Sequence, residues 1–241
     1  AGRYPFRGAR RWLVVWRAQP DGCWQAGLHP KSIDLGLDRV RAVWQRLGAP
    51  SLGAAVISVA GTNGKGSSVA FLEAMLQAAG YRCGCYTSPH LVDYNERIRI
   101  DAAPADDATI CAAFERIDRA RGETALTYFE FGTLAALLIF ADAGLDAVVL
   151  EVGLGGRLDA VNLIDADCAL ICSIALDHQD WLGDDLESIG REKAGILRAG
   201  RPAVYSGRTM PASIREHATR VGAWLQVSGE DFRIERHADH W

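Results

Sequence analysis

Short, nearly unbroken apolar runs alternate along this chain with segments whose apolar residues recur three and four positions apart. Ala54–Ala60 (AAVISVA), Ala147–Leu150 (AVVL) and Cys168–Ile174 (CALICSI) read as strands buried on both faces, where no polar alternation is needed. Arg82–Tyr86 and Pro202–Ser206 suit further strands. Leu37, Val40, Val43, Trp44 and Leu47 fall at helical spacing within Leu35–Leu47. Helices are also predicted over Ser67–Ala79 (closed by Gly80), Asp107–Arg121, Phe129–Ala143 (closed by Gly144), Leu186–Leu197 and Ala212–Val221. Strand and helix in turn imply right-handed crossovers. The expected fold is α/β, a parallel sheet with helices on both faces.

Ala1–Gly22 breaks the pattern. It carries Arg3, Arg7, Arg10, Arg11 and Arg17 beside Trp12 and Trp16 without a period, so residues 1–22 are set apart as an atypical segment and 23–241 as one domain. A length of 241 residues, 49% of them hydrophobic, suffices for one large core. The apolar runs are too short to cross a bilayer, and no leader pattern opens the chain, so a cytoplasmic protein without membrane contact is expected. A net charge of −4 argues against a general nucleic-acid binder. The six cysteines, Cys23, Cys83, Cys85, Cys111, Cys168 and Cys172, have no metal-type spacing and read as reduced, mostly buried thiols.

The chemistry begins between the first buried strand and the next helix, at Gly61-Thr62-Asn63-Gly64-Lys65-Gly66-Ser67. Three glycines allow backbone N–H groups to turn inward on an anion. The following helix aims its positive end at the same place. Lys65 can reach β- and γ-phosphates as a point charge. The strict pattern GxxxxGK[ST] is not met, because Val59 replaces its first glycine and Gly66 is inserted before Ser67. A glycine-rich turn with a solvated lysine is the plainer reading, but the strand–loop–helix context favours nucleotide binding.

Ligands of open α/β sheets gather beyond the carboxyl ends of the strands. There the chain offers Glu151, then Thr87 and Ser88, then Asp177 and His178. Hard oxygen donors suit Mg²⁺. Each has a plainer reading: Glu151 as a cap of the Gly153–Gly156 turn, Ser88 as a turn residue before Pro89, His178 as an ordinary hydrogen-bonded histidine. Together with the loop they point to a metal–ATP site.

Seven blocks make the chain recognisable: SIDLGLDRV (Ser32–Val40), GTNGKGSS (Gly61–Ser68), TSPHL (Thr87–Leu91) with ERIRI (Glu96–Ile100), TYFEFGTLAAL (Thr127–Leu137), EVGLGGRLDAVN (Glu151–Asn162), LDHQDWLG (Leu176–Gly183) and ESIGREKAGI (Glu187–Ile196). They resemble the bacterial dihydrofolate synthase/folylpolyglutamate synthase family, within the wider group of Mur-type ATP-dependent amide ligases. The resemblance implies a P-loop NTPase-like fold of the Mur-ligase central-domain type that is incomplete, with the family's C-terminal glutamate-ligase domain absent, and poor turnover by this chain alone. It implies ATP phosphates on Gly61 to Ser67 and two Mg²⁺ ions, with K⁺ or another monovalent cation as a further ion. Ser88, Glu151 and His178 are the implied metal ligands, and Lys65, Lys193 and His178 the implied catalytic groups, with Lys193 carbamylated. The implied pteroate pocket comprises Ile33, Asp34, Leu35, Thr127, Tyr128, Phe129, Glu130, Leu158, Asp159 and Ala160. The activity implied is ATP-dependent addition of L-glutamate to dihydropteroate and to tetrahydrofolates through an acyl phosphate, by a monomer whose partners are small molecules. Another Mur-type ligase and an inactive nucleotide-binding fragment stand as the alternatives.

Overall fold

The computed structural model describes residues 29, 31, 33–233 and 235. The arginine-rich opening, Cys23 and Ser32 lie outside the described residues. Eight strands form one sheet: β1 Ala55–Ala60, β2 Cys83–Tyr86, β3 Ile98–Ile100, β4 Ala103–Pro104, β5 Ala147–Glu151, β6 Cys168–Ile171, β7 Pro202–Tyr205 and β8 Trp224–Val227. Their order is β4-β3-β2-β5-β1-β6-β7-β8. The pairs from β2 to β8 are parallel, as the buried runs predict. β3 and β4 pair antiparallel at one edge, so the sheet is mixed. The helices are α1 Asp38–Arg46, α2 Lys65–Ala78, α3 Asp107–Arg121, α4 Tyr128–Ala143, α5 Gln179–Leu182, α6 Leu186–Ala194 and α7 Ala212–Val221.

The two-residue period of β5 divides the core. Val148 and Leu150 pack into a cluster with Phe131, Leu134 and Ile117 from α3 and α4. Val149 points the other way, with Val69 of α2 and with Cys83 and Cys85 of β2. A third cluster joins Ala169, Ile171 and Tyr205 to Ala194 and Ile214 on the α6–α7 side. α4 is buried all round, from Glu130 through Phe140, and so carries almost no polar face. Each of its buried phenylalanines contributes on the order of 1.5–3 kcal/mol relative to exposure. Thr127 caps α4 reciprocally with Glu130, and Gly144 closes it at φ 62°.

Several boundaries differ from the sequence expectation. α2 starts at Lys65 rather than Ser67, because left-handed Gly64 (φ 87°) is its cap. β5 runs one residue further and includes Glu151. β6 stops at Ile171 instead of Ile174, since Thr62 of the neighbouring loop takes the Ser173 carbonyl and the Ala175 backbone instead. α1 is confined to Asp38–Arg46, and α6 ends before Gly195. Asp107–Arg121 and Ala212–Val221 agree at both ends. Five of the six cysteines are described, all as free thiols; four are buried and Cys168 is half-buried. Among the described residues no helix is long and apolar enough to cross a membrane.

β1 lies between β5 and β6, and the chain crosses to opposite sides of it on leaving β1 and β5. That reversal opens a crevice at the carboxyl ends of β1, β5 and β6.

Candidate active site

The loop Gly61–Ser67 opens that crevice. It is stapled to the segment after β6 by Thr62 N–H to the Ser173 carbonyl (2.7 Å), by Thr62 Oγ1 to the Ala175 backbone (3.1 Å) and by Ser173 Oγ to the Asn63 carbonyl (3.1 Å). Cys172 lies directly beneath: a Cβ on Gly61 (φ 153°) would stand 2.9 Å from the Cys172 Cβ. Asn63, Gly64, Gly66 and Ser67 are exposed. Both lysines singled out in the sequence reach this loop. Lys65 Nζ donates to the carbonyls of Gly61 (3.0 Å) and Thr62 (3.4 Å). Lys193 Nζ, on α6, donates to the same Gly61 carbonyl (3.0 Å). Lys193 is buried, and burial, followed by the charge of Lys65, depresses its amine to about 8.

Glu151 ends β5 behind the first turn of α2, its two oxygens 3.9 Å from the position a Cβ would take on Gly66. It is buried and has no ion pair among the described residues; its protein hydrogen bond is the Ser88 N–H (3.2 Å). Burial pushes the carboxyl above its ordinary value of 4.5, against the Ser88 bond and the charges of Lys65 and Arg99. The plainer reading of Glu151 as cap of the Gly153–Gly156 turn fails. Asp159 does that work, accepting from Leu154 N–H (2.8 Å) and, through its other oxygen, from Val161 N–H (2.9 Å). Burial raises Asp159 to about 6.

The structure brings Ser88 and Glu151 together. His178 lines the same cavity as Ser88, in left-handed backbone (φ 49°) and half exposed, with Asp177 3.7 Å away. Among the described residues no three His, Cys, Asp or Glu side chains converge on one point. The donor set is therefore one carboxylate, one hydroxyl and one imidazole on the walls of an open crevice. That set fits a hard dication which keeps water or phosphate oxygens in most of its shell.

Beside it lies a cavity of about 290 Å³. Ile33, Asp34, Leu35, Thr127, Tyr128, Phe129, Glu130, Leu158, Asp159 and Ala160 all line it, together with Ser88 and His178. Asp34 and Glu130 are tied across its rim by Arg39, at 2.6 Å and 3.1 Å. Phe131 is fully buried core, whereas Tyr128 and Phe129 line the cavity.

Sequence reasoning missed Arg97, Pro89, Gly36, Gly153 and Leu154 in this wall. ERIRI held the available signal, and its three charges do three things. Glu96 accepts from the N–H groups of Leu91, Val92 and Asp93 and holds the loop after Ser88. Arg97 enters the cavity wall. Arg99 pairs with Glu73 of α2 at 2.9 Å.

Gly156 couples the turn to α6. A Cβ there would meet the Glu192 carbonyl oxygen at 2.8 Å and Lys193 Cα at 3.0 Å, both backbone atoms that cannot swing aside. Gly156→Ala should therefore lower the free energy of unfolding by roughly 1–3 kcal/mol, measured as a lower urea midpoint. An unchanged midpoint would show that the turn is free to lift from α6.

A phosphate-type loop on a central strand, facing an acid at the end of the next strand, defines a nucleotide-dependent class of protein. Residues 59–206, which hold the loop, Glu151 and Lys193, match the Mur ligase middle domain, and the chain belongs to that family. More particularly, it is similar to dihydrofolate synthase/folylpolyglutamate synthase. It is 51% identical over 227 residues to the protein of that name from Escherichia coli (strain K12), covering 93% of this chain and 54% of that one. The structure of E. coli FolC in complex with DHPP and ADP superposes with a TM-score of 0.91 at 49% identity, over 97% of this chain and 55% of that chain. A bifunctional folylpolyglutamate synthase/dihydrofolate synthase with Mn, AMPPNP and L-glutamate bound gives 0.87 at 48% identity, over 96% and 55%. The chain spans about half the length of the relatives it matches.

Proposed function

We propose that residues 23–241 form the ATP-binding, Mur ligase-like domain of an enzyme that adds L-glutamate to dihydropteroate, and to tetrahydrofolates, at the expense of ATP. The observation that carries this reading is the cavity, where ten residues from three separate blocks line one space together with Ser88 and His178. The similar structures, with DHPP and ADP or with Mn, AMPPNP and L-glutamate, support the same ligands here.

A carboxylate and an amine do not condense in water, so the acid must be activated. One carboxylate oxygen attacks the γ-phosphorus of ATP, the bond from that phosphorus to the β–γ bridging oxygen breaks, and ADP leaves. The glutamate amine then attacks the acyl carbon, inorganic phosphate departs, and the nitrogen loses a proton. The nucleophile belongs to the substrate, so the protein positions the reactants and neutralises charge. The loop N–H groups and Lys65 would receive the phosphates. Ser88, Glu151 and His178 would hold Mg²⁺, which supplies further positive charge at the transferred phosphoryl group. Lys193 is the candidate for carbamylation. With its amine at about 8, roughly a tenth is neutral at pH 7 and able to combine with carbon dioxide.

Isothermal titration of Mg·ATP into this chain, with and without dihydropteroate, tests the reading. The expected result is ATP binding that dihydropteroate strengthens. ATP binding indifferent to dihydropteroate would return the substrate to the wider Mur ligase family. No ATP binding by the folded chain would overturn the site.

A further inference from the structure

One buried charge in the cavity wall is left over from the site described above. Arg97 ends the turn Tyr94–Arg97 that leads into β3 and is 7% exposed. Its guanidinium lies over the rings of Tyr94 and Tyr128, 5.4 Å and 5.2 Å from their centres. Nε donates to His90 Nδ1 at 2.7 Å. Among the described residues the Nη groups have no protein acceptor, and no carboxylate lies within ion-pair reach of Arg97. Arg39 and Arg99, also part-buried, each have an acid partner. An isolated buried cation is costly, and two aromatic faces offset only part of that cost.

Position narrows what the missing anion is. Arg97 shares its cavity with Phe129, Tyr128 and Ser88. Its charge is felt by Glu151, beyond Ser88. The guanidinium therefore combines aromatic faces with a cavity that Ser88, the neighbour of Glu151, also lines. A planar fork of N–H donors matches a carboxylate through two parallel bonds.

We propose that Arg97 binds the aryl carboxylate that is to be activated, and keeps hold of the acyl phosphate made from it. The inference rests on the substrate class given under Proposed function. The ring carrying the carboxylate lies against Tyr128 and Phe129. One carboxylate oxygen stays on Arg97 while the other attacks the γ-phosphorus, with bonds formed and broken as described above. Arg97 neither gives nor takes a proton. It fixes the direction of attack and offsets the negative charge of two anions brought together.

The test compares two ligands by isothermal titration into the full chain: dihydropteroate, and the same dihydropterin bearing a plain anilinomethyl group without the carboxylate. The wild-type chain should prefer the acid roughly 10- to 100-fold, as a charge-assisted bidentate contact allows. Arg97→Gln should abolish that preference and leave the affinity for the carboxylate-free analogue within about threefold, as expected when only the charged contact is lost. Arg97→Lys, which keeps the charge and the buried stem, should restore part of the preference and carries the test should the Gln variant fail a thermal melt. If the substitutions weaken both ligands equally in folded protein, Arg97 is a packing cation and the inference falls alone. If the wild-type chain binds neither ligand, the substrate reading and the inference fall together.

Discussion

Lys65→Met is expected to weaken binding of Mg·ATP by roughly 10- to 100-fold while leaving the melting temperature within a few degrees of wild type. Lys65 is half-buried, and its amine donates only to two carbonyls of its own loop, so the fold loses little. The nucleotide loses the point charge that would replace those carbonyls with phosphate oxygens. A second readout follows from Lys193. Burial is the main cause of its lowered pKa, but Lys65 is the next, because both ammonium groups face the Gly61 carbonyl. Removing Lys65 should therefore raise the Lys193 amine from about 8, an effect visible in a titration of lysine side-chain resonances. Affinity within threefold of wild type would mean that the loop does not receive the phosphates.

Those parts of the molecule whose physics is local were legible in the sequence. β5 is buried on both faces, and β1 and β6 have one buried face and one partly buried face, so their residues had to be largely apolar, and the runs in AVVL, AAVISVA and CALICSI followed. The loop between β1 and α2 was legible because glycines and a lysine at a strand–helix junction have few other uses. The edge of the sheet was not. β3 and β4 together contain five residues, and the polar members of ERIRI are spent on a loop, a cavity and α2. β8 (WLQV) leaves Trp224 and Gln226 exposed at the opposite edge, so it lacks the buried-strand signature. Pairing decides such strands, and the sheet that pairs them is assembled from distant sequence. Asp159 and Arg97 were hidden for a related reason. Asp159 holds the N–H groups of Leu154 and Val161, close in sequence but only in the folded turn, and the Arg97 guanidinium lies against the ring of Tyr128, which is distant in sequence. The resemblance placed Asp159 in the pocket, but only coordinates gave it the turn to hold.

Glu151→Gln should reduce the Mg²⁺-dependent rate of ATP turnover by about 10²–10³-fold in a protein that makes the amide, and abolish the contribution of Mg²⁺ to ATP binding by this chain. The substitution keeps the shape and one acceptor for the Ser88 N–H, so it isolates the charge. Its effect on stability should run the other way. Burial, the main cause, holds the folded carboxyl above the ordinary 4.5. The folded state therefore binds more protons than the unfolded state between those two values, and stability falls as pH rises through that window. Above it Glu151 is an uncompensated buried charge, below it a neutral acid much like glutamine. Wild type and variant should thus melt together near pH 4, and the variant should be the more stable at pH 7 to 8 in metal-free buffer. Added Mg²⁺ should close that gap by stabilising the wild type alone, since an ion that binds only the folded protein shifts the equilibrium by mass action. A variant less stable than wild type at pH 8 without metal would mean that Glu151 has a structural partner that outweighs its burial, and its place in the metal set would have to be given up.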